Sequence, residues 1–456
     1  MKSYVKRYSG GFKVYPINDH FVDVRSEEEY PTEILIEDGE IKHALETPSS
    51  GIFIRILKNN RWFMTSTVKE QNIKAKIREL DELFGYSHKE TINLEELLNP
   101  INESVIKYEL LNPSKINLSD KIDLLKEYES VIKEYKEIET YRILYNDKYL
   151  LKRIKNSIGT DVEYDKAICG FTIDFRMRKN ENTFFGRFSL GNNAIEHLKH
   201  NENKLIEYLQ EAKEFLSAKP IKSGIYRTIL SEAVAGLLIH EALGHRAESD
   251  FIISQEDNTI EWPVGKRVAN RGVNIVDFGG MPASSGYSPF DDEGLLARKT
   301  YLIKDGRLNS RLHSLTTASQ SNEEPTGNAR SIDAEHEPIV RMTNTFIESG
   351  KVNFKDMMSD VKEGIYIKTV DHCFGISTYV LVPQMAYLIR NGKLREPVKI
   401  SSIKGSIFKT LKNIEDVSND FKLIFNVQDG CNKVNQKNLS VGFGGAKIKI
   451  KKMKVE

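Results

Sequence analysis

The sequence predicts an α+β protein. Residues 1–219 read as an N-terminal domain of antiparallel strands with helices, and residues 220–456 as a C-terminal domain dominated by antiparallel sheet carrying one buried helix. Three observations predict this. Asp-Gly or Asn-Gly pairs sit between apolar runs in both halves, in "ILIEDGEI" (34–41), "YLIKDGRL" (301–308) and "YLIRNGKL" (387–394), and this chemistry makes two-residue hairpins. Helical spacing of apolar residues is confined to a few stretches. One stretch, 233–239, is apolar or glycine at every position, as a helix buried all round must be.

Taken in order, "GIFIRILKNNRWFMTSTV" (51–68) gives two strands about Asn59-Asn60, and Ile73, Ile77, Leu80 and Phe84 recur at helical spacing. A second helical region is expected over 119–142, with Leu124, Leu125, Tyr128, Ile132 and Tyr135 on one stripe. Its dense Lys and Glu content reads as a solvated face with (i, i+4) pairs such as Glu129 and Lys133. "AICGFTIDFRMR" and "TFFGRFSL" read as strands, and a helix follows at about 202–216. "SAKPIKSG" (217–224) holds the Pro and Gly of a boundary. Beyond the buried helix the chain reads as strand and turn. The hairpins that resemble one another share no period, which excludes a solenoid. The terminal "KIKIKKMK" alternates like an edge strand with lysines outward, and "GFGG" lacks the helix and Lys-Ser/Thr of a phosphate loop.

Bulk properties exclude several classes of function. A net charge of +1 over 456 residues gives no electrostatic basis for binding nucleic acid or an anionic membrane. Three cysteines, Cys169, Cys373 and Cys431, are too few for a disulfide framework and fit a reducing compartment. No apolar run follows the basic N-terminal residues, so no signal peptide is expected, and the longest apolar stretch is too short to span a bilayer. The expected location is the cytoplasm.

Chemistry concentrates in "LLIHEALGHRAESD" (237–250), where His240, Glu241 and His245 close the buried helix. Buried groups of this kind must be hydrogen-bonded or metal-bound, since leaving them unpaired costs several kcal/mol. In the H-E-x-x-H pattern the histidines are four apart and share a helix face. Five apart, they diverge by about 140° on a regular helix. A single metal therefore requires a π-type turn or a helix end between them, with Gly244 best able to relax the backbone. Catalytic zinc takes three protein ligands, and Glu241 would be the general base, off the metal. The third ligand stays open on spacing alone: Glu248, Asp250, a cysteine, His313, His336 or His372. Cys169 lies in an alternating strand and reads as core, leaving Cys373 and Cys431 open.

These residues resemble the TldD/PmbA family of metallopeptidases, in its catalytic TldD-like branch. "AKPIKSGIYRTILSEAVAGLLIHEALGHRAESDF" is similar to the family's H-E-x-x-x-H segment, and "EPTGNARSIDAEHEPIVRMTNTFIESG" (324–350) to its T-G-N-x-R and R-M-T-N-T signature. "DGCNKVNQKNLSVGFGGAKIKI" (429–450) resembles its closing segment. The likeness implies one zinc per chain held by His240, His245 and Cys431, with Glu241 as base. It implies short or unfolded peptides as substrates in an enclosed site. It also implies a dimer, either of two copies or with a related non-catalytic subunit. Two departures stand out. "EGIYIKTVDHCFGIST" (363–378) has only Gly375 after Tyr366, where the family often carries a run of glycines, and "VGFGGAKIKI" differs from the usual V-G-x-G-Q-P.

Gly327, Asn328 and Arg330 of "PTGNAR" form a turn whose alternative reading is substrate contact, and His336 is either a substrate-side group or a solvated loop residue. The leading function is a zinc-dependent peptidase. The alternative is a non-catalytic peptide-binding or regulatory subunit with structural zinc, distinguished by whether the metal keeps an open position.

Overall fold

The computed structural model describes residues 13–17, 20–83, 94, 96–253 and 262–456. It has an α+β fold in which strand predominates and most pairings are antiparallel. Among the described residues no helix is long and apolar enough to cross a membrane.

The first sheet has eight strands between Phe21 and Asn192. Its centre is three long strands, Phe21–Glu37, Ile138–Asn156 and Asp161–Lys179, whose inward positions meet in register: Ile143 faces Ile36 on one side and Ile173 on the other. Asn102–Val105 alone pairs parallel, along the edge of Asp161–Lys179. The turn residues behave as their chemistry demands. Asp38 and Gly39 have φ of 47° and 94°, and Asn59 and Asn60 have 53° and 59°, the left-handed values of a tight hairpin. Helices Leu118–Lys133 and Glu202–Phe215 bury Leu124, Leu125, Tyr128, Leu205, Leu209 and Phe215 against Tyr145, Phe171 and Ile173. Helix Ile73–Glu82 sets Ile73, Ile77 and Leu80 on Ile52, Ile54 and Ile56; Phe84, expected on the same stripe, lies outside the described residues.

The helical region expected over 119–142 is shorter. The helix ends at Lys133, and from Ile138 the chain is a 19-residue strand. Its buried residues alternate there, and pairing on both sides satisfies a backbone that a longer helix would leave as an unpaired gap in the sheet. The charged face is also less solvated than its composition suggests. Lys121 is fully buried, 2.7 Å from both Asp147 and Thr32 Oγ1, and buried Glu129 accepts from Tyr141 Oη at 2.5 Å as well as pairing with Lys133.

In the C-terminal half, strand pairings close on themselves. Gly224–Leu230 pairs with Glu363–Phe374 and Ile448–Val455; Ile403–Ser406 links the latter to Thr378–Arg390, which returns to Glu363–Phe374. A second, mixed sheet runs Arg307–Leu308, Thr300–Lys304, Ile275–Asp277, Asn344–Ile347, Gly442–Gly445, Lys422–Ile424. Helix Glu232–Ile239 packs against strands of both, which is why it is apolar all round. Glycine lets it close in: a Cβ on Gly236 would stand 2.2 Å from the Gly444 nitrogen.

Two expectations are corrected here. The terminal strand Ile448–Val455 is not an edge but is flanked by Gly224–Leu230, Ile403–Ser406 and Ile414–Val417. Lys447, just before it, and its Lys449 are buried, with Lys449 paired with Asp360 at 2.9 Å, whereas Lys451, Lys452 and Lys454 are outward as expected. Short helices Leu315–Ser321, Phe354–Ser359 and Ile407–Lys412 also interrupt the strand-and-turn pattern.

A buried ionic seam joins the first sheet to the rest. Asp291, Asp292 and Glu293 are all buried; Asp292 pairs with Lys152 at 2.7 Å and Glu293 with Arg55 at 2.9 Å.

Candidate metal centre

Ser231 opens the central helix by accepting a hydrogen bond from the Val234 amide, satisfying one of the otherwise orphaned first-turn donors. After Ile239 the backbone widens into a π-helical turn, His240–Gly244, followed by a short turn of helix, His245–Ala247. The extra residue per turn brings the two imidazoles to one side, with ring centroids 5.3 Å apart. Gly244 acts differently from the sequence expectation. Its φ of −60° and ψ of −51° are ordinary right-handed values. What it supplies is space, since a Cβ there would lie 2.0 Å from Met342 Sδ.

Cys431 reaches the same point from a distant hairpin, Cys431–Lys433 paired with Gln436–Leu439. One ligand atom each from His240, His245 and Cys431 lies within 4.8 Å of the others, and this is the group of three potential ligands found among the described residues. Cys431 Sγ is 3.5 Å from His245 Nε2. Burial pushes the Cys431 thiol up, but the hydrogen bonds and charges of His240 and His245 outweigh it and bring it down to about 5. Burial opposes charge on His245 as well, yet Glu248 and Cys431 hold its imidazolium well above the usual histidine range. His240 Nδ1 is buried with no hydrogen-bond partner. A thiolate, two imidazoles and one unsatisfied ring nitrogen at such spacing fit a zinc-type cation.

The surrounding groups fix these side chains. Glu248, fully buried, accepts at 3.1 Å from His245 Nδ1 and pairs with Lys433 at 3.0 Å. Burial raises its carboxyl, but His245 and Lys433 outweigh that and hold it at about 2. The contact turns His245 Nε2 toward the sulfur, the usual office of a carboxylate behind a metal-binding imidazole. Lys433 also pairs with Asp250 at 2.6 Å and donates to the Val340 carbonyl at 2.7 Å. Arg341 Nη2 donates to the Cys431 carbonyl at 2.5 Å. Sequence reasoning missed Lys433 and Arg341; their places in C-x-K and in R-M-T-N-T were the available signal.

The remaining candidates for a third ligand sit elsewhere. Glu248 and Asp250 are bound to Lys433 as above. His313 meets Thr317 and Glu323, His336 meets Asp333, and His372 meets Asp371. Cys169 is in the core of the first sheet, its thiol donating to the Asn192 carbonyl at 3.3 Å. Cys373 is buried, and its thiol is pushed up to about 12 by burial and then by the charge of Glu241. Glu241 is partly exposed and makes no hydrogen bond or ion pair among the described residues.

Of the four residues offered for substrate contact, Gly327 turns the chain at φ 72°. Asn328 is buried, its amide donating to Asp277 and to the Arg341 carbonyl. Arg330 is buried and donates to the carbonyls of Met342 and Ser440. His336 is partly exposed, with its ring on Asp333 and its carbonyl accepting from Arg25.

Family models cover most of the chain: the PmbA/TldA metallopeptidase domain 1 matches residues 22–83, the central domain 111–237 and the C-terminal domain 223–456. The chain belongs to the TldD/PmbA family of metallopeptidases. A metalloprotease of Methanocaldococcus jannaschii is 31% identical over 450 residues, covering 96% of this chain and 97% of the relative. A protein of Saccharolobus solfataricus named as a zinc metalloprotease TldD homolog is 26% identical, over 97% and 98% of the two chains. The TldD/PmbA fold itself is shared with the crystal structure of TldE from Thermococcus kodakarensis, with a TM-score of 0.78 at 17% identity, covering 95% of this chain and 96% of that one.

Proposed function

We propose that this TldD/PmbA protein is a zinc-dependent peptidase of the H-E-x-x-x-H type, in the cytoplasm, acting on short or unfolded peptides. The observation that carries the reading is the meeting of His240, His245 and Cys431 within 4.8 Å, next in the chain to Glu241, which has no hydrogen bond or ion pair among the described residues. Those three side chains would hold one zinc ion. When bound, the ion supplies Lewis-acid activation of water and polarisation of the scissile carbonyl. Glu241 accepts the proton of the attacking water and returns it to the leaving amine. Glu248, through His245, keeps the imidazole in the tautomer a ligand needs.

The peptide is proposed to bind extended. Gly224–Leu230 pairs with Glu363–Phe374 only as far as Ile367, so among the described strands residues 369 to 374 pair with Thr378–Arg390 on one side alone. This open edge carries Cys373, whose thiol feels the Glu241 charge. Backbone pairing there binds with little regard to side chains and requires an unfolded segment. A second copy, or a related non-catalytic subunit, is proposed to complete the enclosure. Gly327 and Asn328 act on this reading by shaping the segment that leads to Arg341 and Met342.

The test is metal content and peptide cleavage by the unsubstituted chain and by Glu241→Gln. Full zinc with loss of about 10²-fold or more in hydrolysis is expected for the variant, in line with removal of a general base. Hydrolysis at the original rate by Glu241→Gln would remove Glu241 from the role.

A further inference from the structure

Away from the candidate metal centre, two basic side chains are buried side by side without an ion-pair partner among the described residues. Lys166 and Arg330 are each 5% exposed, and neither forms an ion pair among the described residues. Lys166 Nζ donates to the Ser285 carbonyl at 2.5 Å, and Arg330 donates to the carbonyls of Met342 at 2.5 Å and Ser440 at 2.9 Å. Carbonyls satisfy donors but carry no charge. The neighbouring cations are already matched, Lys148 by Glu29 and Lys152 by Glu27 and Asp292. Burial, with Arg330, Lys148 and Lys152 beside it, pushes Lys166 well below the usual lysine range, and burial lowers Arg330 too.

These groups line one cavity of about 50 Å³ between the first sheet and the C-terminal half. Tyr287 lines it as well; the residue is 1% exposed and its hydroxyl has no hydrogen-bond partner. A buried donor left unmade is costly, and a buried basic group without a counter-charge is more so. At the wall Asn438 is exposed and Ile332 partly exposed.

We propose that this cavity is a subsite for a carboxylate of the bound peptide, received by Lys166, Arg330 and the Tyr287 hydroxyl. The inference rests on the peptidase reading. Its position relative to the metal centre supports it. Leu439, in the cavity wall, is the cross-strand partner of Cys431, and Met342, whose carbonyl Arg330 holds, packs on Gly244 between the two histidines. Antiparallel partners lie about 5 Å apart, and an extended chain advances about 3.3 Å per residue. The cavity wall and one candidate metal ligand therefore lie on adjacent strands of one hairpin. The volume suits a carboxylate and excludes a bulky side chain. The subsite would direct cleavage toward the C-terminal end of short peptides.

The test uses the full chain carrying Glu241→Gln, loaded with zinc, and measures binding by calorimetry. Three versions of one short peptide are compared: the free acid, the C-terminal amide, and an amide ending in Glu. The free acid should bind about tenfold or more tighter than the plain amide, the worth of one charged hydrogen bond. Recovery by the Glu-ended amide assigns the site to carboxylates of either origin, and no recovery assigns it to the chain terminus. Tyr287→Phe and Lys166→Met should each shrink the acid-over-amide ratio, and Lys166→Arg should keep it. These variants separate the subsite from any carboxylate contact to the metal, and Tyr287→Phe serves should Lys166→Met fold poorly. Equal binding of acid and amide, or a ratio untouched by Tyr287→Phe, overturns the subsite. Absence of hydrolysis by the unsubstituted chain overturns the peptidase reading alone, because the ratio is read without turnover.

Discussion

Two buried clusters of charge in this molecule look alike by composition and differ in what they leave over. In the seam, Arg25 lies 2.5 Å from Glu27 and 3.5 Å from Asp292, Arg55 pairs with Asp23 and Glu293, and Lys152 pairs with Glu27 and Asp292. Each of these charges is answered by an opposite one. In the candidate metal centre, Glu248 and Lys433 answer each other, but among the described residues a His240 ring nitrogen and the Glu241 carboxylate have no hydrogen-bond or ion-pair partner, and the Cys431 sulfur stands against two imidazoles. The closed cluster holds two parts of the fold together, and the open one is poised for something it does not itself contain. Burial alone does not separate the two clusters; charge left without an opposite one, as at Glu241, does.

The largest expected effect tests the open cluster. Cys431→Ala should lose zinc and peptide cleavage together, read by metal analysis and by hydrolysis, whereas Cys169→Ser should keep its zinc. Full zinc in Cys431→Ala would end the assignment of the third ligand and with it the contrast between the clusters.

The closed cluster is tested by Lys152→Met. Removing one partner leaves Glu27 and Asp292 buried with less charge to meet, so a loss of about 3–5 kcal/mol of stability in denaturant unfolding is expected, with the zinc content of the folded fraction unchanged. A loss near zero would show that the seam is hydrated and not an ionic clamp.

Glu248→Gln should sharpen the boundary between them, because Glu248 belongs to both kinds of arrangement. Zinc affinity should fall about 10–100-fold, as for other groups behind a metal-binding imidazole. Its folded-state pKa of about 2 lies below the ordinary 4.5, so its stabilisation is present above the ordinary value and is lost as pH falls toward the folded value. Acid unfolding of the zinc-free protein between about pH 4.5 and 2 should therefore be less steep in Glu248→Gln than in the unsubstituted chain.

The smallest effect compares two glycines. Gly244→Ala should cost about 1–3 kcal/mol through overpacking on Met342 and disturb zinc binding, read by calorimetry. Gly39→Ala should cost about 1 kcal/mol through its left-handed φ of 94° and leave zinc binding alone. Equal effects on zinc would mean that the Met342 contact does not hold the π-turn.

Much of this was legible without the fold. Asp-Gly, Asn-Asn and Asn-Gly turns predicted the hairpins because left-handed backbone is a property of the residues themselves, and Asp305 and Asn391 take φ of 47° and 49° as expected. The unbroken apolar run 233–239 announced a helix covered on every side, and the five-residue histidine spacing announced the distorted turn. These are local facts, fixed within a few bonds. What lay outside local reach was decided by contacts distant in sequence. The helix stops at Lys133 because the next residues are held by strands on both sides. Lys447 and Lys449 are buried because that end of the strand is covered on both sides, and Lys449 found Asp360 there, while Lys451, Lys452 and Lys454 stay outward. Spacing could not choose Cys431 from the other ligand candidates, since 186 residues separate it from His245 and only the folded hairpin brings sulfur to ring. Side-chain type sets which chemistry a residue is able to do. Which residues are left with that chemistry unspent depends on what the rest of the chain packs against them, and that is a property of the tertiary structure.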